Sequence, residues 1–144
     1  MTDISIETAN NVLFGNSRWS DVEIHVWDAG LKMRAQCHAH RAILATFSGT
    51  FRDALLAKSD VITRPVLTIN EEWCTPALFD IVLRWMYTQT IHSKTIAALD
   101  KTKRETYQAQ RKLLLSVRRV AERFDIPGLV HACKVADDGL EPYL

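Results

Sequence analysis

Between Trp19 and Phe51 the hydrophobic period switches from two residues to three or four, and this switch constrains the fold more than any other feature. Val22, Ile24 and Val26 alternate with Glu23, His25 and Trp27, as in a strand with one face inward. Asp28-Ala29-Gly30 reads as a hairpin turn, with Gly30 free to take a positive φ. Leu31, Met33, Ala35 and Cys37 alternate again as the return strand. From Ala39 the spacing is helical: Ile43, Leu44 and Phe47, then Phe51, Leu55 and Leu56. Ser48 is placed to cap the second of these short helices. A hairpin that runs directly into two helices points to an α+β domain.

The rest of the chain extends this pattern. Ile4 and Ile6 alternate with polar neighbours and permit a short N-terminal strand, and 9–14 is apolar enough for a brief helix or turn. Ser59 to Pro65 is a loop, and Val66-Leu67-Thr68-Ile69 is a third strand. Thr75-Pro76 is a strong helix start, because threonine caps and proline suits the first helical position. Leu78, Phe79, Val82, Leu83, Trp85 and Met86 cover most of that helix, which predicts burial. Thr88 to His92 reads as extended. From Ser93 to Lys112 the composition turns basic, with six Lys or Arg against Asp100 and Glu105. Thr102-Lys103-Arg104-Glu105 fits a capping box, so a helix is expected from near Lys103 through Phe124. Asp125-Ile126-Pro127-Gly128 breaks it, and Pro127 opens a last helix carrying Leu129, Val130, Cys133 and Val135.

Composition limits the function classes. The 144 residues suit one domain, and a net charge of +1 builds in no general attraction to nucleic acid or anionic membrane. Cys37, Cys74 and Cys133 are odd in number and far apart, which argues against a disulfide framework and for a reducing cytoplasm or nucleus. Met1 to Ser5 does not read as a secretory signal, and no apolar stretch approaches the ~20 residues of a membrane span.

Several pieces resemble the BTB/POZ domain when taken in order. Trp19-Ser20-Asp21-Val22 is similar to that family's opening, with an aromatic residue two places before the recurrent acid. His40-Arg41 matches its His-Lys/Arg pair, Ile43-Leu44-Ala45 its Val-Leu-Ala, and Ser48 and Phe51 the Ser and Phe beyond. Phe79 and Tyr87-Thr88 resemble the later helix, and Ala121 to Cys133 resembles the closing Ala-x-x-Phe-x-Ile-Pro-x-Leu-x-x-x-Cys. The resemblance implies a small three-stranded sheet flanked by helical hairpins, here with a longer basic helical insert near 93–112. It divides the chain into an N-terminal arm at 1–16, the domain at 17–136 and a short tail at 137–144. It also implies a two-fold dimer. The interface would comprise Ile4, Ile6, Val12, Leu13 and Phe14 from the arm, with Ile43, Leu44, Phe47 and Phe51 from the first helices. The family's function is assembly, so the expectation is a homodimerising adaptor or scaffold, not an enzyme. Alternatives are a substrate adaptor of a cullin-type ubiquitin ligase and a monomeric elongin-C-like subunit that binds a partner's helix. The loop at 57–64 lacks the Glu of the apolar-x-Glu motif common in cullin-recruiting members. Gln89 replaces the family's usual glycine after Tyr87-Thr88, so the turn there must be made differently.

The remaining candidate sites each have two or more readings. Asp21 and Arg41 are either an ion pair pinning the first strand to the helix start or, as in repressor-type relatives, a charged pocket at the dimer interface. Arg104, Arg111 and Arg118 share one face of a helix. That face is a solvated surface, a dock for a protein partner or a grip on nucleic acid, the solvated surface being the reading preferred. Cys37, His38 and His40 are zinc-type ligands, but no fourth lies near in sequence, and Cys37 and His38 point to opposite faces of a strand. Cys37 is therefore read as core, His40 as packed with a satisfied ring and His38 as solvent-facing. Glu71-Glu72 is read as interacting with a helix dipole. No Gly-x-Ser-x-Gly, phosphate loop or His-Glu-x-x-His occurs, and no metal or cofactor is expected.

Overall fold

The computed structural model describes Phe14, Ser17, 19–57, 65–91 and 104–143. Among the described residues, three strands and five α-helices run in the order β1 Val22–Asp28, β2 Met33–Ala39, α1 Arg41–Phe47, α2 Gly49–Ala57, β3 Val66–Ile69, α3 Pro76–Thr88, α4 Arg104–Arg123 and α5 Pro127–Leu140. A 3-10 turn at Glu141–Tyr143 follows. α5 thus carries helix across the 136/137 boundary expected from the sequence.

The sheet order is β2-β1-β3. β1 pairs antiparallel with β2 through the hairpin and parallel with β3, after a crossover that includes α1 and α2. Val22, Ile24 and Val26 are fully buried, as the alternation requires, with Leu67 and Ile69 beside them on β3. The return strand departs from its expected pattern. Only Ala39 at its end is buried, while Leu31 and Met33 are exposed, because the hairpin tip projects beyond the helices. The turn also differs in detail. Asp28 Oδ1 accepts the amides of Gly30 and Leu31, at 2.9 and 3.1 Å, and the positive φ falls on Lys32 at 52° rather than on Gly30.

α3 is the central helix. Thr75 Oγ1 accepts the Leu78 amide at 3.2 Å, and Phe79, Val82, Leu83, Trp85, Met86 and Tyr87 are buried. Phe51 of α2 stacks on Phe124 at 5.0 Å between ring centroids, and Phe79 meets both edge-on at 6.2 Å. This trio joins α2, α3 and the end of α4 in one core. Ser48 caps α2 as expected, accepting the Phe51 amide at 3.1 Å, and its hydroxyl donates to the Phe124 carbonyl at 2.5 Å. Gly49 lies so close to Asp125 that a Cβ would collide with its carboxylate.

The break after α4 is a Schellman turn. The Ile126 amide donates to Ala121 O and the Asp125 amide to Glu122 O, with Asp125 at φ 52° in the place glycine usually takes. Pro127 then starts α5. The capping box and the extended stretch expected near His92 lie wholly or largely outside the described residues, although Thr88 itself closes α3.

Candidate interaction surface

No residue from Ala42 to Phe51 is charged, yet this stretch forms α1, the start of α2 and part of the protein surface. Leu44 and Phe51 point inward, with 0% and 3% of their surface exposed. Ala42 and Thr46 point outward, and Ile43 and Phe47 lie half-buried between them. The Thr46 hydroxyl donates to the Ala42 carbonyl at 2.6 Å, so even the one polar side chain on the outer face of α1 is turned back onto the helix. Arg41 bounds this face at one end. At the other, Arg52 Nε donates to Ala45 O at 2.7 Å. An exposed helix without charge is unusual on a surface that has no partner.

This arrangement corrects two of the expected interface residues. Leu44 and Phe51 are spent on the chain's own core and have no surface to offer. Helical spacing in a short segment marks them as apolar without saying which side faces out. Phe14, from the arm, packs edge-on against Tyr87 at 5.5 Å with Arg84 over its ring at 4.7 Å. Ile4, Ile6, Val12 and Leu13 lie outside the described residues.

Asp21 and Arg41 are brought together, chiefly through the backbone. Asp21 Oδ1 accepts the Arg41 amide at 2.7 Å, one of the amides that a helix start leaves without an internal partner. Arg41 Nε donates to the Asp21 carbonyl at 3.2 Å but stays 4.0 Å from the carboxylate Oδ2, with both side chains partly exposed. An exposed ion pair of that geometry contributes at most ~1 kcal/mol, so the anchoring of the start of β1 to α1 rests on the two hydrogen bonds that involve backbone, Arg41 N–H to Asp21 Oδ1 and Arg41 Nε to Asp21 O.

Behind this anchor, His40 and Tyr87 form a buried pair. His40 Nδ1 and Tyr87 Oη share a hydrogen bond at 2.6 Å. Burial pushes the Tyr87 phenol well above its ordinary value, a hydrogen bond from the His40 backbone opposes the rise, and the Asp21 charge adds to it. His40 is thus packed with a satisfied ring, as expected. His38 is half-buried rather than solvent-facing, and its Nδ1 has no hydrogen-bond partner among the described residues. The thiols are held in their neutral form. Burial raises Cys74 to about 12 and Cys133 to about 11, and it raises Cys37 as well. Among the described residues no three of His, Cys, Asp and Glu converge as a metal site would require.

The basic face of α4 is largely consumed within the chain. Arg111 Nε lies 3.1 Å from Asp137 Oδ1 on α5, and Arg118 donates to Glu122 at 2.9 Å. Arg119 lies over the Trp73 ring at 4.2 Å. Arg104 opens the helix, but its side chain is outside the described residues. Arg123 donates to Glu71 at 2.8 Å, so Glu71, just before α3, also ties that segment to the end of α4. Phosphate binding needs several convergent cations, and among the described residues Arg111, Arg118 and Arg123 each face a carboxylate instead.

A family model described as the BTB/POZ domain matches residues 10–138. The chain belongs to the BTB/POZ domain family. Of solved structures, 105 chains match it. The BTB domain of zebrafish PATZ1 is similar with a TM-score of 0.60 and 15% identity, over 96% of this chain and 98% of that one. At that identity the likeness is one of fold. No curated protein matches. BTB/POZ domains are in general protein–protein interaction modules.

Proposed function

We propose that this BTB/POZ domain does no chemistry of its own and acts by pairing with a second copy of itself, as an adaptor on which other proteins assemble. The observation that carries the reading is the outer face of α1, where Ala42, Ile43, Thr46 and Phe47 present helix surface without a charge. The centre of a protein interface is depleted of charge in the same way. A two-fold contact brings a patch against its own copy, and a neutral patch can do this without like-charge repulsion. The neutral thiols and the internally paired arginines support a role in recognition over catalysis or nucleic-acid binding.

The test is Ile43→Asp, compared with wild type by size-exclusion chromatography. Ile43 is half-buried, so a charge there is tolerated by the monomer but disrupts a paired face. The variant is expected to elute later than wild type with an unchanged far-UV circular dichroism spectrum. Identical elution of the two proteins would place any assembly elsewhere.

A further inference from the structure

β2 is an edge strand. Among the described residues its one strand neighbour is β1, and its other long side is open. In a strand paired on one side, about every second residue turns its N–H and C=O outward, a template for another chain. Met33, Arg34 and Gln36 along this edge are exposed. Met33, Ala35 and Cys37 stand opposite Asp28, Val26 and Ile24, so they continue the apolar face that β1 buries. That face runs out at β2, where Met33 is 58% exposed and Leu31, in the turn before it, 71%. Arg34, Gln36 and His38 share the other face, and Lys32 lies in the turn. From Ala29 to Arg52 the chain has no Asp or Glu. Asp28 is engaged by the turn amides, and Glu23 Oε2 lies 3.4 Å from His25 Nε2. Among the described residues neither Lys32 nor Arg34 has a carboxylate partner.

We propose that the open edge of β2 takes an extended segment of a partner protein as a further strand, with apolar and acidic residues alternating along that segment. The apolar side chains cover Met33 and Ala35, and the acidic ones lie on the opposite face beside Arg34 and Lys32. Main-chain hydrogen bonds give such a contact affinity, and the alternating side chains give it specificity. Charge on an edge deters indiscriminate pairing, and here it leaves acidic chains as the exception. A second copy of β2 has no carboxylate to offer these cations, so charge selects a foreign strand. The inference adds a client site to the adaptor reading and does not depend on copies pairing.

The probe is a fluorescein-labelled peptide of alternating Glu and Val, titrated with the full chain by fluorescence anisotropy. Saturable binding is expected, and none would overturn the proposal. Lys32→Glu with Arg34→Glu should weaken it at least about tenfold with an unchanged far-UV circular dichroism spectrum. N-methylating one alternate set of the peptide's amides should abolish binding, and methylating the other set should leave it. Equal binding of the two methylated peptides, or of a Glu-Ser peptide, would reduce the contact to charge attraction and overturn the added strand. Asp3, Ile4, Ser5, Ile6 and Glu7 of this chain show the same alternation. Ile4→Lys with Ile6→Lys should therefore leave probe affinity unchanged, and a marked gain would give the edge to the chain's own arm instead. Ile43→Asp should bind the probe as wild type does, whatever its mass. Loss of binding in that variant would move the site to α1.

Discussion

Tyr87 and His40 show how one side-chain pair ties three elements together. His40 closes β2 and caps α1, while Tyr87 sits on the last turn of α3, and their 2.6 Å bond lies inside the core. Tyr87→Phe keeps the ring and its contact with Phe14 but removes the hydroxyl from a buried imidazole. We expect a loss of about 1–3 kcal/mol in urea unfolding. A loss below about 0.5 kcal/mol would show that the bond has no net role. The thiols make a prediction of opposite character. Cys74 and Cys133 keep their protons to about 12 and about 11 in the folded chain, against an ordinary 9.0. The native state therefore binds more protons than the unfolded state above pH ~9. Their stabilising contribution is complete below that pH and is lost as pH rises through the folded values. The urea midpoint should fall from about pH 9 toward pH 11–12, and Cys74→Ala with Cys133→Ala should flatten the early part of that fall. Ionisation of Tyr87 adds to the fall at higher pH in the same direction. An unchanged slope in the double variant would contradict the assigned burial.

At the scale of elements, the end of α3 solves a problem posed by its sequence. Gln89 stands where relatives usually have glycine, and it still adopts the left-handed conformation, at φ 54°. Its side chain compensates: Nε2 donates to Met86 O at 2.8 Å and, at 3.3 Å, to Trp85 O, which also accepts the Gln89 amide. Gln89→Ala keeps the strain and loses those bonds, so a loss of about 1–2 kcal/mol is expected. Gln89→Gly loses the bonds but relieves the strain and should lie within about 0.5 kcal/mol of wild type. Equal losses in the two variants would show that the left-handed turn carries no strain. Elements marked by strict periodicity or by proline were legible in the sequence. β1 was read from Val22, Ile24 and Val26, the start of α3 from Thr75-Pro76, and the α4–α5 break from Asp125 to Gly128. The exposure of Leu31 and Met33 was not legible, because alternation reports which residues share a face and not whether anything covers it. The same ambiguity hid the inward turn of Leu44 and Phe51. Trp19 matched a family position, but nothing local in its spacing signalled a positive φ.

At the scale of the whole molecule, the core formed by the described strands and helices leaves Ala42 and Thr46 on the outer side of α1 exposed, and that neutral surface is the basis of the functional reading. Among the described residues, the pairing of Arg111, Arg118 and Arg123 with carboxylates weakens the basic face of α4 as a competing surface. An obligate pairing of copies would bury upwards of about 2,000 Å² in total. The measurement that tests this most directly is molar mass by light scattering across a dilution series of the wild-type chain. A mass of twice 16.4 kDa that persists on dilution is the expected result. A mass of 16.4 kDa at every concentration would contradict self-association and would leave the neutral face of α1 to a different protein.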